Sequence, residues 1–133
     1  MIIAVLDSNI FISAFLFNGK QRRIIESAIE GRFRIAISEG IIRELSRVLE
    51  RPAFKLANSQ IKMLIAEIES ISEICYPSEK VYGVCRDNDD HIILECAVAA
   101  EADFIVTGDA DLLSLAVYKN ISIIDSNDFM KLI

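Results

Sequence analysis

Short apolar runs alternate along this chain with longer segments whose apolar residues recur at helical spacing. Apolar runs of about 4–8 residues between turn signals are typical of strands buried on both faces, and i, i+3, i+4, i+7 spacing is typical of helices. The alternation predicts an α/β fold in which helices cover both faces of a central parallel sheet of about five strands. The predicted strands cover residues 2–6, 33–37, 72–76, 104–107 and 121–124.

Helices are predicted between these strands, and residues that favour helix ends mark several boundaries. Ser8 or Asn9 is expected to cap the first helix, which ends at Asn18-Gly19, and Ser38 is expected to cap a later one. The predicted helices cover residues 8–17, 20–31, 38–50, 59–71, 90–102 and 110–118, with a helical turn at 53–57 and a short helix after 121–124.

The helix predicted at 59–71 carries a long apolar stripe for so small a domain. A leftover apolar surface usually marks a contact with another molecule, and the simplest self-association is a twofold dimer. We therefore expect a homodimer. The stripe consists of Ile61, Leu64, Ile65, Ile68 and Ile71, with Met63 beside it.

The composition narrows the class of protein. A length of 133 residues fits one domain over 1–133, and a hydrophobic fraction of 53% argues against disorder. No apolar run approaches the ~18 residues of a membrane span, and the opening run reaches Asp7 too early for a signal peptide. Three cysteines without a C-x-x-C pair argue against a disulfide framework or a cysteine zinc site, and they favour the reducing cytoplasm.

The charge is unevenly distributed along the chain. The net charge of −6 argues weakly against general nucleic-acid binding. Residues 1–55, however, carry nine Lys and Arg against six acids, whereas residues 56–133 carry five against fourteen. The first half therefore predicts a basic surface beside an acidic site. The alternative is that its charges are ordinary solvated helix faces.

Acids follow two of the predicted strands. Asp7 ends the opening apolar run, and Asp109 follows 104–107 with Asp111 two residues on. The carboxyl ends of parallel strands share the edge at which open α/β sheets bind ligands. Helix capping is the competing interpretation of these acids, because Asp is a good N-cap.

Glu44 lies inside the apolar stripe of its helix. The template i, i+3, i+4, i+7 from Ile41 falls on residues 44, 45 and 48, so the Glu44 carboxylate is expected on the core side. An inward carboxylate is costly unless it meets a cation or hydrogen-bond donors. The alternative is a stripe-edge Glu that reaches solvent or pairs with a buried Arg.

The segment Asp87-Asn-Asp-Asp90 opens a buried helix. It fails as an EF-hand calcium loop, because its sixth position is Ile92 rather than Gly. Asp90, next to the apolar helix, is the best metal candidate and Asp89 a secondary one, with turn chemistry and N-capping as the alternative. His91 is expected to be structural.

Acids gathered at one edge repel one another unless a cation neutralises them. Hard oxygen ligands without histidine favour Mg²⁺ or Mn²⁺ over zinc, and Mg²⁺ commonly takes substrate phosphates as further ligands. This donor set points to phosphoester chemistry by metal-activated water. Ser8 and Thr107 are expected to orient water or a phosphate oxygen by hydrogen bonding.

With these motifs the chain resembles the PIN-domain family, in particular the small prokaryotic PIN ribonucleases that include VapC-like toxins. The resemblance covers nearly all 133 residues. It depends on Asp7-Ser8-Asn9 after the first strand, Glu44 on the helix after the second, Asp87-x-Asp-Asp90, and the run from Ala102 to Leu112. Each motif is weak alone, whereas their order and spacing together are fairly specific.

The resemblance implies a three-layer α/β/α Rossmann-like fold, dependence on Mg²⁺ or Mn²⁺, and cleavage of single-stranded RNA. It implies that Asp7, Glu44, Asp90 and Asp109 form a catalytic, metal-binding quartet, with Asp109 preferred to Asp111 as the fourth acid. Homodimers and an antitoxin partner are also implied by the family. Supporting roles fall to Ser8, Asn9, Thr107, Asp111 and Asp89.

RNA binding is expected to use Lys20, Arg22 and Arg23, because a carboxylate edge repels phosphate until metal neutralises it. These residues are placed at the far end of the first helix, about 15 Å from Asp7 by helical rise. The face formed by Arg43, Arg47 and Arg51 is the next candidate.

Other functions compete with this prediction. A haloacid-dehalogenase-like phosphatase requires a second acid two residues after the first, where this chain has Asn9. A phospho-acceptor receiver domain requires a Lys after a late strand, and none follows 104–107 or 121–124. The serious alternative is a catalytically silent PIN-like module that binds RNA or protein, and the intact set of four acids argues against it.

Overall fold

A mostly parallel sheet of six strands forms the centre of the computed structural model, which describes residues 1–17 and 19–133. The strands are β1 (Ile3–Leu6), β2 (Arg34–Ser38), β3 (Ser72–Cys75), β4 (Phe104–Val106), β5 (Val117–Tyr118) and β6 (Ile121–Ile124). Their spatial order is β3-β2-β1-β4-β6-β5, and every pair is parallel except β5 with β6. The five predicted strands are confirmed.

Seven α-helices and one short 3₁₀ turn at Pro52–Phe54 accompany the sheet in the part of the chain that is described. They are α1 (Ser8–Leu16), α2 (Gln21–Ile29), α3 (Glu39–Leu49), α4 (Asn58–Ser70), α5 (Asn88–Ala99), α6 (Ala110–Leu115) and α7 (Ser126–Met130). Each predicted helix is present, although α5 begins two residues earlier than expected. The predicted helix stop at Asn18-Gly19 includes Asn18, which lies outside the described residues.

Strand β5 was not predicted, because residues 110–118 were expected to form one helix. Helix α6 instead ends at Leu115, and Ala116 takes a positive φ of 60° that turns the chain away. Lys119 and Asn120 also have positive φ and form the two-residue turn of a hairpin, which pairs Tyr118 with Ile121. The sheet therefore has one antiparallel edge strand.

The central strands are buried on both faces. Ala4, Val5 and Leu6 are fully buried, and so are the successive residues from Ile35 to Ile37. Side chains of a strand point alternately to the two faces, so a continuous buried run requires helices on both. The architecture is therefore the expected three-layer α/β/α arrangement.

Helix α5 packs across β1, β2 and β4 beneath the predicted acid edge. Gly40 permits the close approach of α3 to α5, because a Cβ at that position would lie 2.8 Å from the side chain of Ile92. This contact holds α3, which carries Glu44, against α5, which carries Asp90 in its first turn.

The apolar stripe of α4 is largely covered within the chain. Ile61 and Ile68 are buried, and Leu64, Ile65 and Ile71 pack against the core. Met63 is the exposed member, and 69% of its surface is accessible to solvent. The stripe is therefore mainly core, because α4 packs on α3 and β3.

Candidate metal centre

Asp7 lies directly after β1 and caps α1, a role that the sequence had assigned to Ser8 or Asn9. Its extended backbone, with ψ of 168°, starts the helix one residue later, and its Oδ1 accepts a hydrogen bond from the Ile10 N–H at 3.0 Å. Its other oxygen accepts a hydrogen bond from the Thr107 hydroxyl. Burial raises the pKa of Asp7, and these hydrogen bonds offset part of that effect.

Thr107 joins two of the predicted acids. Its hydroxyl donates to Asp7, and the same oxygen accepts the Asp109 N–H at 3.0 Å. Thr107 is fully buried, so its hydroxyl faces these partners rather than solvent. In this structure Thr107 orients the carboxylate of Asp7, and its predicted contact with water or phosphate stays a prediction.

Glu44 points to the same edge of the sheet. The Ser8 hydroxyl donates to Glu44 Oε2 at 2.8 Å, so Ser8 also orients a carboxylate. Burial raises the pKa of Glu44, the Ser8 hydrogen bond lowers it, and the charges of Asp89 and Asp7 raise it further. The inward orientation inferred from the helical stripe is confirmed, since Glu44 meets a hydrogen-bond donor beside Asp7.

Asp90, Asp109 and Asp111 form the tightest group of acids in the described chain. One carboxylate oxygen from each lies within 4.8 Å of the other two, and all three residues are partly buried. Burial and then the neighbouring charge of Asp109 raise the pKa of Asp90 to about 7. Such a group is repulsive until a cation neutralises it.

Capping does not account for Asp90. Asp87 takes the N-cap position of α5, and its carboxylate accepts the N–H of Asp89 at 2.9 Å. Asp109 caps α6 by accepting the Leu112 N–H at 3.1 Å. Capping and metal binding are compatible for Asp109, because a carboxylate has a second oxygen.

The predicted quartet is thus divided by its geometry. Asp90 and Asp109 lie together and are joined by Asp111, whereas Asp7 and Glu44 fall outside that 4.8 Å group. Asp7 is connected to it through Thr107, and Glu44 is connected to Asp7 through the next residue, Ser8. Carboxylate oxygens alone line the group, a donor set that fits Mg²⁺ or Mn²⁺.

The remaining candidates have other partners. His91 is buried, and its Nε2 accepts the Cys85 N–H at 3.0 Å, so it is structural as expected. Asp89 forms an ion pair with Arg47 at 3.6 Å. Arg86, which sequence reasoning did not single out, donates to Asp111 Oδ1 at 2.9 Å. Because Arg86 is exposed and lies in a loop without periodicity, no pattern in the sequence marks it.

The three predicted RNA contacts lie in different surroundings. Lys20 lines a cavity of about 310 Å³ together with Asn9, Thr107 and Gly108, since α2 packs back against α1. Lys20 is therefore the predicted RNA contact that shares a cavity with residues next to Asp7 and Asp109. Arg22 donates to the Ala14 carbonyl at 3.3 Å and pairs with Glu26 at 3.8 Å, and Arg23 faces the C-terminal residues.

Helices that could cross a membrane are absent from the described residues, since none is both long and apolar enough.

No curated protein shows significant sequence similarity to the chain.

Solved structures with the same fold include two toxin–antitoxin proteins. The VapBC2 structure from Rickettsia felis, bound to a DNA fragment from its promoter, superposes with a TM-score of 0.65 at 20% identity, covering 93% of this chain and 98% of that one. VapBC-1 from nontypeable Haemophilus influenzae gives 0.62 at 20% identity, covering 95% and 99%. The PIN domain of human SMG5 gives 0.52 at 19% identity, covering 98% and 97%.

A family model described as the PIN domain matches residues 4–111. The matched span begins in β1 and ends at Asp111, so it contains every acid of the candidate centre. It covers most of the 133 residues. The chain therefore belongs to the PIN-domain family.

Proposed function

We propose that this protein is a Mg²⁺- or Mn²⁺-dependent endoribonuclease that hydrolyses phosphodiester bonds of single-stranded RNA. The observation that carries the proposal is the convergence of Asp90, Asp109 and Asp111 within 4.8 Å at the end of β4. The exposed Arg86 pairs with Asp111 alone, and three gathered carboxylates are matched to a hard divalent cation. Membership of the PIN-domain family supports nuclease chemistry for such a group.

The chain's own residues would bind and orient the reactants. Asp90, Asp109 and Asp111 would hold the cation, and the hydrogen bonds from Thr107 and Ser8 would orient Asp7 and Glu44 beside it. When bound, the cation neutralises phosphate charge and lowers the pKa of water. In the hydrolysis, the water oxygen bonds to phosphorus, one P–O ester bond breaks, and the departing oxygen takes a proton.

Toxin activity with an antitoxin partner is the proposed biological setting. Its support is the fold similarity to the VapBC structures, together with the resemblance of the acid motifs to VapC-like toxins. We place the protein in the cytoplasm as a homodimer. The three free cysteines, Cys75, Cys85 and Cys96, are compatible with that reducing compartment.

Cleavage of an end-labelled single-stranded RNA by the purified protein tests the proposal. We expect fragments in Mg²⁺ or Mn²⁺ and none in EDTA, with activity restored when either ion is added back. Asp90→Asn serves as the inactive control. If the protein binds the RNA with unchanged affinity in every condition and never cuts it, the catalytically silent binding module is the correct description.

A further inference from the structure

A groove of about 460 Å³ opens beside Glu44, on the side of the sheet away from Lys20. Its walls come from the start of α3, from α5 and from the loop that follows β3. Glu44 is part of this lining, and its partner Ser8 follows Asp7 directly in the chain, so the groove begins next to the predicted acids. Its lining also includes Arg43, Arg47, Tyr76 and Lys80.

The groove carries cations that are available to bind a ligand. Arg43 and Lys80 have no carboxylate partner within 4.0 Å among the described residues. Arg47 is held by Asp89 at 3.6 Å. Four acids line the groove too. Glu79 pairs with Lys119 at 3.8 Å, Glu95 accepts the Val81 N–H at 2.9 Å, and Glu44 accepts the Ser8 hydroxyl at 2.8 Å. Glu39, at the start of α3, has no ion pair among the described residues.

Tyr76 adds an aromatic ring to the same groove. It follows β3 directly, and 78% of its surface is exposed. An aromatic ring beside unpaired cations is the combination that binds single-stranded nucleic acid, because bases stack on the ring while the cations contact phosphates. Tyr82, in the same loop, is 80% exposed but does not line the groove, and it therefore provides a matched comparison.

We infer that this groove holds the single-stranded RNA on one side of the cleaved bond, with a base stacked on Tyr76 and phosphates at Arg43 and Lys80. This inference rests on the proposed function and names the path of its substrate. The groove lies at the ends of β2 and β3, and the Lys20 cavity lies at the ends of β4 and β6. With strands about 4.8 Å apart, a path from β3 to β6 spans roughly 19 Å and crosses the acids between them.

Steady-state cleavage of a short mixed-sequence RNA in Mn²⁺ tests the path. Tyr76→Ala is expected to raise KM by about 5- to 150-fold, the range expected when one base–aromatic stack is lost, with kcat nearly unchanged. Tyr76→Phe keeps the ring and should behave like the wild type, as should Tyr82→Ala. Arg43→Ala and Lys80→Ala should each reduce the dependence of log Kd on log salt concentration by about 1.

Tyrosine fluorescence gives a second readout, because the chain has three tyrosines and no tryptophan. Stacking of a base on Tyr76 should quench part of the emission when the RNA is titrated in. Tyr76→Phe should abolish that part of the quenching while binding the RNA with normal affinity, and Tyr82→Phe should retain it. A structural effect of Tyr76 on the loop would not produce this pattern.

The outcomes separate this inference from the proposed function. If the wild type cleaves RNA but Tyr76→Ala and Tyr82→Ala have equal KM values, the groove is not the path and the nuclease proposal stands. If the wild type does not cleave, fluorescence anisotropy with the same RNA still compares the two variants, and weaker binding by Tyr76→Ala alone supports the groove. If the wild type neither binds nor cleaves, both proposals are overturned.

Discussion

Asp7 can be substituted in a way that changes catalysis without changing the fold. Its carboxylate is buried and is held by the Ile10 N–H and the Thr107 hydroxyl. In Asp7→Asn the amide oxygen can still accept from Ile10, and the Thr107 hydroxyl can rotate to accept from the amide NH₂. We therefore expect an intact fold, a melting temperature equal to or slightly above that of the wild type, and no RNA cleavage.

Circular dichroism, thermal melting and the labelled-RNA assay check this substitution. The melting temperature should not fall, because the substitution removes the buried carboxylate of Asp7. Burial disfavours its charged form, as the raised pKa of Asp7 indicates. Turnover of the pure variant in Mn²⁺ at the wild-type rate would show that Asp7 is not required for the chemistry.

The stability of the metal-free protein should depend on pH through Asp90. Its pKa is raised from 3.8 to about 7, so between these values the folded carboxyl keeps a proton that the unfolded chain has lost. Since the folded state then binds more protons, the free energy of unfolding should fall as pH rises from about 4 to about 7 and change little from this group above that.

Thermal melts in EDTA at several pH values between 4.5 and 8 measure this dependence. Asp90→Asn should flatten the decline, whereas the exposed Glu67→Gln should leave it unchanged. Mn²⁺ added at pH 8 should raise the melting temperature of the wild type, because a ligand that binds only the folded state stabilises it. An identical pH profile for Asp90→Asn and the wild type would contradict the assignment.

Helix α2 is expected to contribute a single phosphate contact at its start. Lys20 lines the cavity beside Thr107, whereas Arg22 is occupied by Ala14 and Glu26, and Arg23 lies in a separate cavity. Lys20→Ala should therefore raise KM and reduce the dependence of log Kd on log salt concentration by about 1. Arg23→Ala is the matched control. Equal effects of the two substitutions would show that RNA contacts the whole basic segment of Lys20, Arg22 and Arg23 rather than Lys20 alone.

Helix α7 is anchored by one aromatic side chain. Phe129 is fully buried and contacts Phe33 and Phe104 edge to face, with ring centroids 4.9 Å and 5.8 Å away. Phe129→Ala should lower the free energy of unfolding by about 3–5 kcal/mol through lost burial and the cavity left behind. Urea unfolding measures the change, and Leu132→Ala is the comparison, since Leu132 is exposed and should cost under about 0.5 kcal/mol.

The elements that sequence patterns predicted best are those whose burial is continuous. The apolar runs of β1 and β4 become strands because both faces are covered, and the Glu44 orientation followed from the spacing of its buried neighbours. Strand β5 escaped prediction because a two-residue strand has no period, and its pairing depends on the positive φ angles of Lys119 and Asn120.

Contacts between distant residues were the least predictable part of the site. Thr107 and Asp7 are 100 residues apart, and Ser8 and Glu44 are 36 apart, so no local pattern states that these hydroxyls orient those carboxylates. The same holds for the groove, since Tyr76 and Lys80 belong to a loop whose position is set only when β3 joins the sheet.

The whole molecule is predicted to form a twofold dimer. The stripe on α4 that motivated this prediction is mainly buried, which leaves exposed apolar side chains such as Phe17 and Met63 as the available contact residues. Light scattering at micromolar concentration should give twice the monomer mass of 14.9 kDa. Met63→Lys should shift the protein toward monomer. If the wild type has the monomer mass, the apolar stripe of α4 serves only the core of a single chain.

The two outer strands of the sheet restrict how copies of the chain can associate. One edge is β5, which is only two residues long, and the other is β3, where Glu73 is exposed and Pro77 follows closely. Short, charged and proline-flanked edges are poor templates for the addition of a strand from another molecule. Copies of this chain should therefore meet through their helices, and the folded protein should resist growth into fibres.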